Sequence, residues 1–307
     1  MRVLVTGGSG LVGTALQDVT KNNHEWIFAS SADADLTDRT ETEMLFDRTQ
    51  PTHVLHLAAK VGGLFANRRA NFQFYRINQL INTHVLETAF KCPTVVKCVS
   101  IMSTCIFPTG LKIPMSEQDL HRGLPHDSNF GYAMAKRNLD VLSILLNNSG
   151  STLFTTVVPT NLYGPKDNFD PQSSHVIPGL IEKMYQAKTA RHPELVLPGT
   201  GSAKRQFMLS LDFARALETI LVGYEEPTPI LISPTNEVTI KDLASLVAQK
   251  MGYKGIITFA GDPKDDGMLE KTVSIRKFKS LFPNFQFTSL PLGLAITIQW
   301  YLKNKFS

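Results

Sequence analysis

Residues 2–13 read RVLVTGGSGLVG. Arg2 to Thr6 is a short apolar run with β-branched residues, which predicts a strand. Gly7, Gly8, Ser9, Gly10, Leu11, Val12 and Gly13 follow, and a helix-like segment then runs to about Thr20. Strand, glycine turn and helix in this order make a dinucleotide site. Gly7 permits the tight turn, Gly10 lets backbone approach a pyrophosphate, and Gly13 lets the helix pack on the strand. The G-x-x-G-x-x-G spacing differs by one from the G-x-G-x-x-G form.

Working outward, the same alternation repeats. Glu25 to Ala29, Thr52 to Leu57, Val95 to Ile101 and Leu153 to Val158 read as further strands. Helical segments at Glu41 to Arg48, Phe65 to Phe90 and Tyr132 to Asn147 lie between them. No hairpin signal interrupts the pattern, so the fold class is α/β: a Rossmann-type doubly wound parallel sheet. From about Gly164 prolines recur and the alternation loosens, which predicts a smaller mixed α/β C-terminal substrate lobe. The expected division is a dinucleotide-binding domain over 1–164, to which the chain returns around 207–224, and a substrate domain over 165–206 and 225–307.

With 307 residues and 43% hydrophobic content the chain is long enough for such a pair of lobes. A net charge of +4 is too mild to imply nucleic acid and suits an anionic small molecule. Three cysteines, Cys92, Cys98 and Cys105, suggest no disulfide framework, and the reading is cytoplasmic. No signal peptide, membrane span or metal site is read from the sequence.

At the cofactor end, the second strand finishes in Ala29-Ser30-Ser31-Ala32-Asp33. An acid there would hold the ribose 2′-hydroxyl of NAD; this hydroxyl-rich end leans to NADP(H). Asp35-Leu36 lies near the adenine, or Asp35 is a turn or N-cap residue. Ala58 and Ala59 end the third strand with small residues that suit close approach to a cofactor.

Ser103-Thr104-Cys105 follows the fourth strand, and Tyr132 and Lys136 share a helix face 29 residues after Ser103. A lysine beside a phenol lowers its pKa from about 10, so that it passes a proton to a developing alkoxide. Cys98, inside a strand, reads as a small buried hydrophobe, and Cys92 carries no chemistry. His24, His53, His56, His84, His121, His126 and His192 read as solvated or core residues. His175 lies in a polar loop before a helix.

Several motifs go beyond this general order. Ala59-Lys60-Val61-Gly62-Gly63, Ser103 to Pro108, Asn129 to Tyr132, Pro159 to Pro165, Asp167 to Phe169, Ser174 to Ile181 and Arg205 to Phe207 span nearly the whole chain. Together they resemble the GDP-L-fucose synthase family of the extended short-chain dehydrogenase/reductases. The resemblance implies epimerisation at C3 and C5 and NADPH-dependent reduction at C4 of GDP-4-keto-6-deoxy-D-mannose. It implies that Cys105 and His175 are an acid/base pair, and that Ser103 and Tyr132 polarise the C4 oxygen beside Lys136. It adds Pro159, Asn161, Leu162 and His175 to the cofactor contacts. It puts Thr104, Asn161, Lys183, Arg205 and Lys271 on a GDP-sugar; each of the three cations reads otherwise as a solvated surface charge. It also implies a homodimer through a bundle of the two long helices, with no membrane or nucleic-acid partner. Two positions depart from the family: Pro198 stands where it often has tryptophan, and Ala32 where it often has a basic residue. Alternatives on the same fold are a sugar-nucleotide 4,6-dehydratase or 4-epimerase, and a non-catalytic NADP-binding regulatory module.

Overall fold

In the computed structural model, which describes residues 1–20, 24–262 and 266–305, the first half of the chain alternates strand and helix. In order come β1 (Arg2–Thr6), α1 (Leu11–Val19), β2 (Glu25–Ala29), α2 (Arg39–Thr49) and β3 (His53–His56). There follow α3 (Leu64–Arg69), α4 (Asn71–Lys91), β4 (Lys97–Ile101), α5 (Phe130–Asn147) and β5 (Leu153–Pro159). The second half holds β6 (Asn161–Tyr163), α6 (Val176–Thr189), β7 (Glu194–Leu197), β8 (Lys204–Leu209), α7 (Ser210–Gly223) and β9 (Ile230–Ile232). It ends with β10 (Glu237–Thr239), α8 (Ile240–Met251), β11 (Ile256–Phe259), α9 (Arg276–Leu281) and α10 (Leu290–Lys305).

Six strands form one parallel sheet in the order β2-β1-β3-β4-β5-β9. Helices cover both faces of such a sheet, so a central strand is buried on both sides; β4 is buried at every position. The strand order reverses at β1, with β2 on one side and β3 on the other. That reversal opens a crevice at the carboxyl ends of the strands, where open α/β sheets bind their ligands. At the opposite end of β4, Lys97 is buried, and its Nζ donates to the carbonyls of Ile220 and Leu221, both at 2.9 Å. It thereby adds a charged donor to the carbonyls in the last turn of α7.

A second core joins α6, α8 and α10 through Ile181, Met184, Leu243, Val247, Leu294 and Ile298. Around it lie a three-stranded sheet, β10-β8-β6, and a parallel pair, β11-β7. No helix among the described residues is long and apolar enough to cross a membrane.

Two expectations are corrected. The long helix expected over Phe65 to Phe90 is two helices, broken at Ala70, whose φ is −132° and ψ 34°. The break is set by a tertiary contact: the Asn71 Oδ1 accepts the backbone N–H of Gly131 at the start of α5. The expected substrate segment 225–307 is also not one block. Ile230–Ile232 is the edge strand of the six-stranded sheet. Phe278 of α9 is buried in that sheet's core, with Phe282, Phe285 and Phe287 packed on it.

Candidate active site

The glycine turn is built by close approach. Gly7 takes φ +73°, the left-handed region that glycine enters without a Cβ penalty. A Cβ on Gly7 would lie 2.8 Å from the Ala58 nitrogen, and one on Gly8 would lie 2.7 Å from the Phe28 Cβ. The Gly8 N–H donates to the Ala29 carbonyl at 2.7 Å, and the Gly10 N–H to the Gly7 carbonyl at 3.0 Å. The turn is thus pressed onto the ends of β2 and β3. Gly10 caps α1 without a side-chain hydrogen bond, and no acidic residue stands in the first turn. Free N–H groups at that helix start, on a glycine turn packed so closely on the sheet that no Cβ fits at Gly7, Gly8 or Gly13, fit the pyrophosphate of a dinucleotide.

The segment expected at the adenine is more polar. Ser31 is exposed. Asp35 Oδ1 accepts both the backbone N–H and the hydroxyl of Thr37 at 2.8 Å, which holds its carboxyl below the usual range. The turn role of Asp35 is therefore present in the structure. The Leu36 carbonyl faces His84 Nδ1 at 3.1 Å. Ala58 and Ala59 are half-buried just beyond β3. On the far side Pro159 ends β5, and Asn161 and Leu162 open β6; the Asn161 amide donates to the Gln206 carbonyl at 3.0 Å.

Beyond β4 the chain makes one short 3-10 turn, Thr104–Ile106, with Ser103 as its N-cap. Thr104 and Cys105 are buried. Arg137 of α5 holds this turn from behind, donating to the carbonyls of Ile106 and Gly123. Lys136 is buried, and its Nζ donates to the Ile101 carbonyl at 2.7 Å. Tyr132 is half-buried, with its ring edge-on to Phe74.

Electrostatics join these groups. Burial pushes the Cys105 thiol up; Lys271, the Ser103 hydroxyl and Lys136 oppose it, favouring the thiolate. Burial pushes Lys136 down to about 8, and the Cys105 thiol opposes that. One expectation is reversed: burial, and then Cys105, push the Tyr132 phenol above its ordinary value. The Lys136 ammonium is drawn to the Ile101 carbonyl, and desolvation dominates at the phenol.

His175 stands at the N-cap of α6 and is exposed, with the surrounding protein lowering its pKa. Its loop is pinned to the βα turn after β3, where the Gly63 N–H donates to the Ser173 carbonyl at 3.2 Å. Among the described residues no hydrogen bond joins His175 to Cys105.

Three cations were expected on a diphosphate. Arg205 donates to the carbonyls of Lys204 at 2.7 Å and Asp266 at 3.0 Å. The Asp266 carboxylate in turn accepts the Thr200 N–H at 2.9 Å, beside Gly199 at φ +79°. Lys271 lies in an extended stretch stitched on two sides. Glu270 bridges Lys204 and Val273 bridges Met115. Burial and the Arg205 guanidinium push Lys271 down to about 8. Lys183 is half-buried on α6. Lys271 thus stands near both Arg205 and Cys105, 166 residues from the thiol in sequence.

Residues 3–232 match the NAD dependent epimerase/dehydratase family. A GDP-L-fucose synthase of Dictyostelium discoideum is 44% identical over 98% of this chain and 95% of its own length. The chain belongs to the GDP-L-fucose synthase family. A second member, from Escherichia coli K12, is 32% identical over 99% of this chain and 97% of its own. The crystal structure of a GDP-L-fucose synthetase from Naegleria fowleri bound to NADP superposes with a TM-score of 0.91. It is 37% identical and covers 99% of this chain and 95% of that one.

The family motifs do not include every residue that shapes the site. His56, read as a solvated or core histidine, is fully buried and hydrogen-bonded between Thr6 and Asn82. Asn78 holds the turn after β3 through both the N–H and the carbonyl of Lys60, at 2.9 and 3.0 Å. The available signal was Asn78 and Asn82 four apart on one face of a helix. A buried asparagine needs partners, and here they are the site's own loops.

Proposed function

We infer that the chain is an NADPH-dependent epimerase and reductase that converts GDP-4-keto-6-deoxy-D-mannose to GDP-L-fucose. The observation that carries this is the meeting of Ser103, Cys105, Lys136 and Lys271 at the end of β4, beside a cradle shaped for a dinucleotide. The family relatives, one of them in a structure bound to NADP, support the same reading.

The substrate ketone at C4 acidifies the hydrogens on C3 and C5. Cys105 is the base that removes a proton to leave an enolate, and His175 is the acid that returns one from the other face. The Ser103 and Tyr132 hydroxyls donate to the C4 oxygen, where charge develops in each step. A base must be a thiolate, and Lys271 and Lys136 are the cations that favour it. The Gly7–Gly13 turn, Ser31, Asp35 and Leu36, Ala58 and Ala59, Lys136 and the 159–162 segment would hold NADPH, which when bound would supply a hydride for C4. Tyr132 then gives the C4 oxygen its proton, with Lys136 behind it. Arg205, Lys183 and Lys271 take the diphosphate of the GDP-sugar. The lobe around α6, α8 and α10 is the substrate lobe.

A homodimer through α4 and α5 belongs to the same reading. Phe72 and Tyr75 on α4, and Val141, Ile144 and Leu145 on α5, are exposed apolar residues on adjacent helices. A cytoplasmic location fits the three unpaired thiols.

The deciding experiment supplies purified protein with NADPH and GDP-4-keto-6-deoxy-D-mannose and identifies the product by NMR. GDP-L-fucose is expected. Folded protein that oxidises no NADPH with authentic substrate overturns the reading.

A further inference from the structure

Behind the candidate site, side chains from three elements form one continuous hydrogen-bond chain. The Ala58 N–H donates to Thr6 Oγ1 at 3.3 Å, and Thr6 Oγ1 lies 2.9 Å from His56 Nδ1. His56 Nε2 lies 3.1 Å from Asn82 Oδ1, and Asn82 Nδ2 donates to the Ala135 carbonyl at 2.9 Å. Thr6, His56 and Asn82 are each 0% exposed. Water therefore cannot replace any link, and each broken one leaves a buried polar group unpaired.

One proton arrangement satisfies every member. The Asn82 amide nitrogen only donates, so it faces the Ala135 carbonyl and turns its oxygen to His56. His56 Nε2 then carries the hydrogen, Nδ1 is bare, and the Thr6 hydroxyl donates to it. The Thr6 oxygen keeps a lone pair for the Ala58 N–H. The donors run in one direction, from Ala58 to Ala135, through a neutral imidazole. Burial, and then the Lys136 charge, keep His56 neutral, with its pKa pushed down to about 3.

The two ends of the chain carry its meaning. The Ala58 nitrogen is the atom against which the glycine turn is pressed, 2.8 Å from where a Gly7 Cβ would stand. Ala135 precedes Lys136 and lies three residues after Tyr132.

We propose that the Ala58–Thr6–His56–Asn82–Ala135 chain is a positioning device that ties the cofactor cradle to the Tyr132–Lys136 turn of α5. Cofactor seated on the cradle then steadies the proton-donating turn. Thr6, His56 and Asn82 are positioning residues and touch no reacting atom. The roles of Tyr132 and Lys136 rest on the proposed function; the coupling itself does not.

The test reads amide hydrogen exchange over residues 132–139 by mass spectrometry, with and without saturating NADP. In the unsubstituted chain NADP is expected to slow exchange there. Asn82→Leu and the near-isosteric Thr6→Val are expected to keep NADP binding within about threefold while losing most of that slowing, about tenfold. Thr6→Ser and His56→Gln restore it, because Ser keeps the hydroxyl and Gln offers an oxygen to Thr6 and an N–H to Asn82. Thermal unfolding confirms that each variant is folded; if Asn82→Leu is not, the Thr6 pair decides. Unchanged slowing in folded Thr6→Val overturns the proposal, as does an absence of slowing in the unsubstituted chain. A second readout is single-turnover hydride transfer with deuterated NADPH. The isotope effect is expected to rise in Thr6→Val and not in Thr6→Ser. A chain that binds NADP but turns over no GDP-sugar would refute the proposed function and leave the exchange result standing.

Discussion

Lys136 Nζ donates to the Ile101 carbonyl at 2.7 Å, which ties the lysine to the last residue of β4, two residues before Ser103. Strand end and helix are therefore fixed to each other at the point where the proposed mechanism brings hydroxyl and phenol to one oxygen. Burial pushes Lys136 down to about 8. A base is charged below its pKa, so its ammonium is present at neutral pH and is lost as pH rises through about 8. Reduction is expected to fall over that range. Lys136→Met should lower its rate by about 10²-fold or more and erase that fall. Stopped-flow NADPH oxidation across pH checks both; the same fall in Lys136→Met would show that another group titrates.

In the proposed mechanism Cys105 and Tyr132 divide the two halves of the chemistry. Cys105→Ser is expected to abolish deuterium uptake at C3 and C5 in heavy water. Tyr132→Phe should hurt hydride transfer more than exchange, because only the phenol supplies the final proton. Mass spectrometry of recovered GDP-sugar separates the two. Normal exchange by Cys105→Ser would remove the thiol from its role as base.

Lys271 is the strongest influence favouring the Cys105 thiolate. Without that cation the thiol pKa rises, so the base becomes available only at higher pH. Lys271→Met is expected to move the rising limb of the C3/C5 exchange profile upward by about one pH unit. It should also raise the KM for GDP-sugar through the proposed diphosphate contact. A raised KM with an unmoved limb would leave Lys271 as a substrate contact only.

The glycine turn gives a steric test. A Gly8 Cβ would press on Phe28, with its Cβ, Cα and carbonyl carbon all within 2.9 Å. Gly8→Ala must shift the turn away from the end of β2. NADP affinity is expected to fall by about tenfold or more, measured by quenching of protein fluorescence. Unchanged affinity would mean that the pyrophosphate is held elsewhere.

What the sequence disclosed and what it hid follow from range. β1 and β2 have the residue bounds read from the sequence, because short apolar runs between polar turn residues carry their own boundaries. The break at Ala70 has no proline or glycine to announce it; a contact with Gly131, sixty residues on, sets it. β9 has only three residues, and its place at the sheet edge depends on β5. The order of Ser103, Tyr132 and Lys136 is visible in the chain. The approach of Lys271 to Cys105 is not, since it needs Val273 bridged to Met115 and Glu270 to Lys204. The direction of the Tyr132 shift was also hidden, because it depends on burial rather than on spacing.

Acid stability follows from the buried histidines. Burial pushes His53 down to about 4 and His56 down to about 3. In the unfolded chain both titrate near about 6.5. Below that pH the unfolded state binds protons that the folded state refuses. Stability therefore rises with pH across the window from about 3 to about 6.5, and acidification within it destabilises. The carboxylates of exposed Asp33 and half-buried Asp119, held below their usual value by their serine partners, lose their contribution only at lower pH. Between about pH 4.5 and 6.5 the Asp167 carboxyl, pushed up to about 7 by burial, works against one histidine, because folded protein holds a proton there that the unfolded chain has released. The second histidine leaves a net rise with pH, and His56 contributes a slope of up to about 1.4 kcal/mol per pH unit. Tm is expected to drop steadily across that interval. His56→Gln, which keeps both hydrogen bonds and cannot titrate, should show a visibly shallower drop. Equal slopes in the two proteins, read by calorimetry at matched ionic strength, would mean that His56 is not the group refusing the proton.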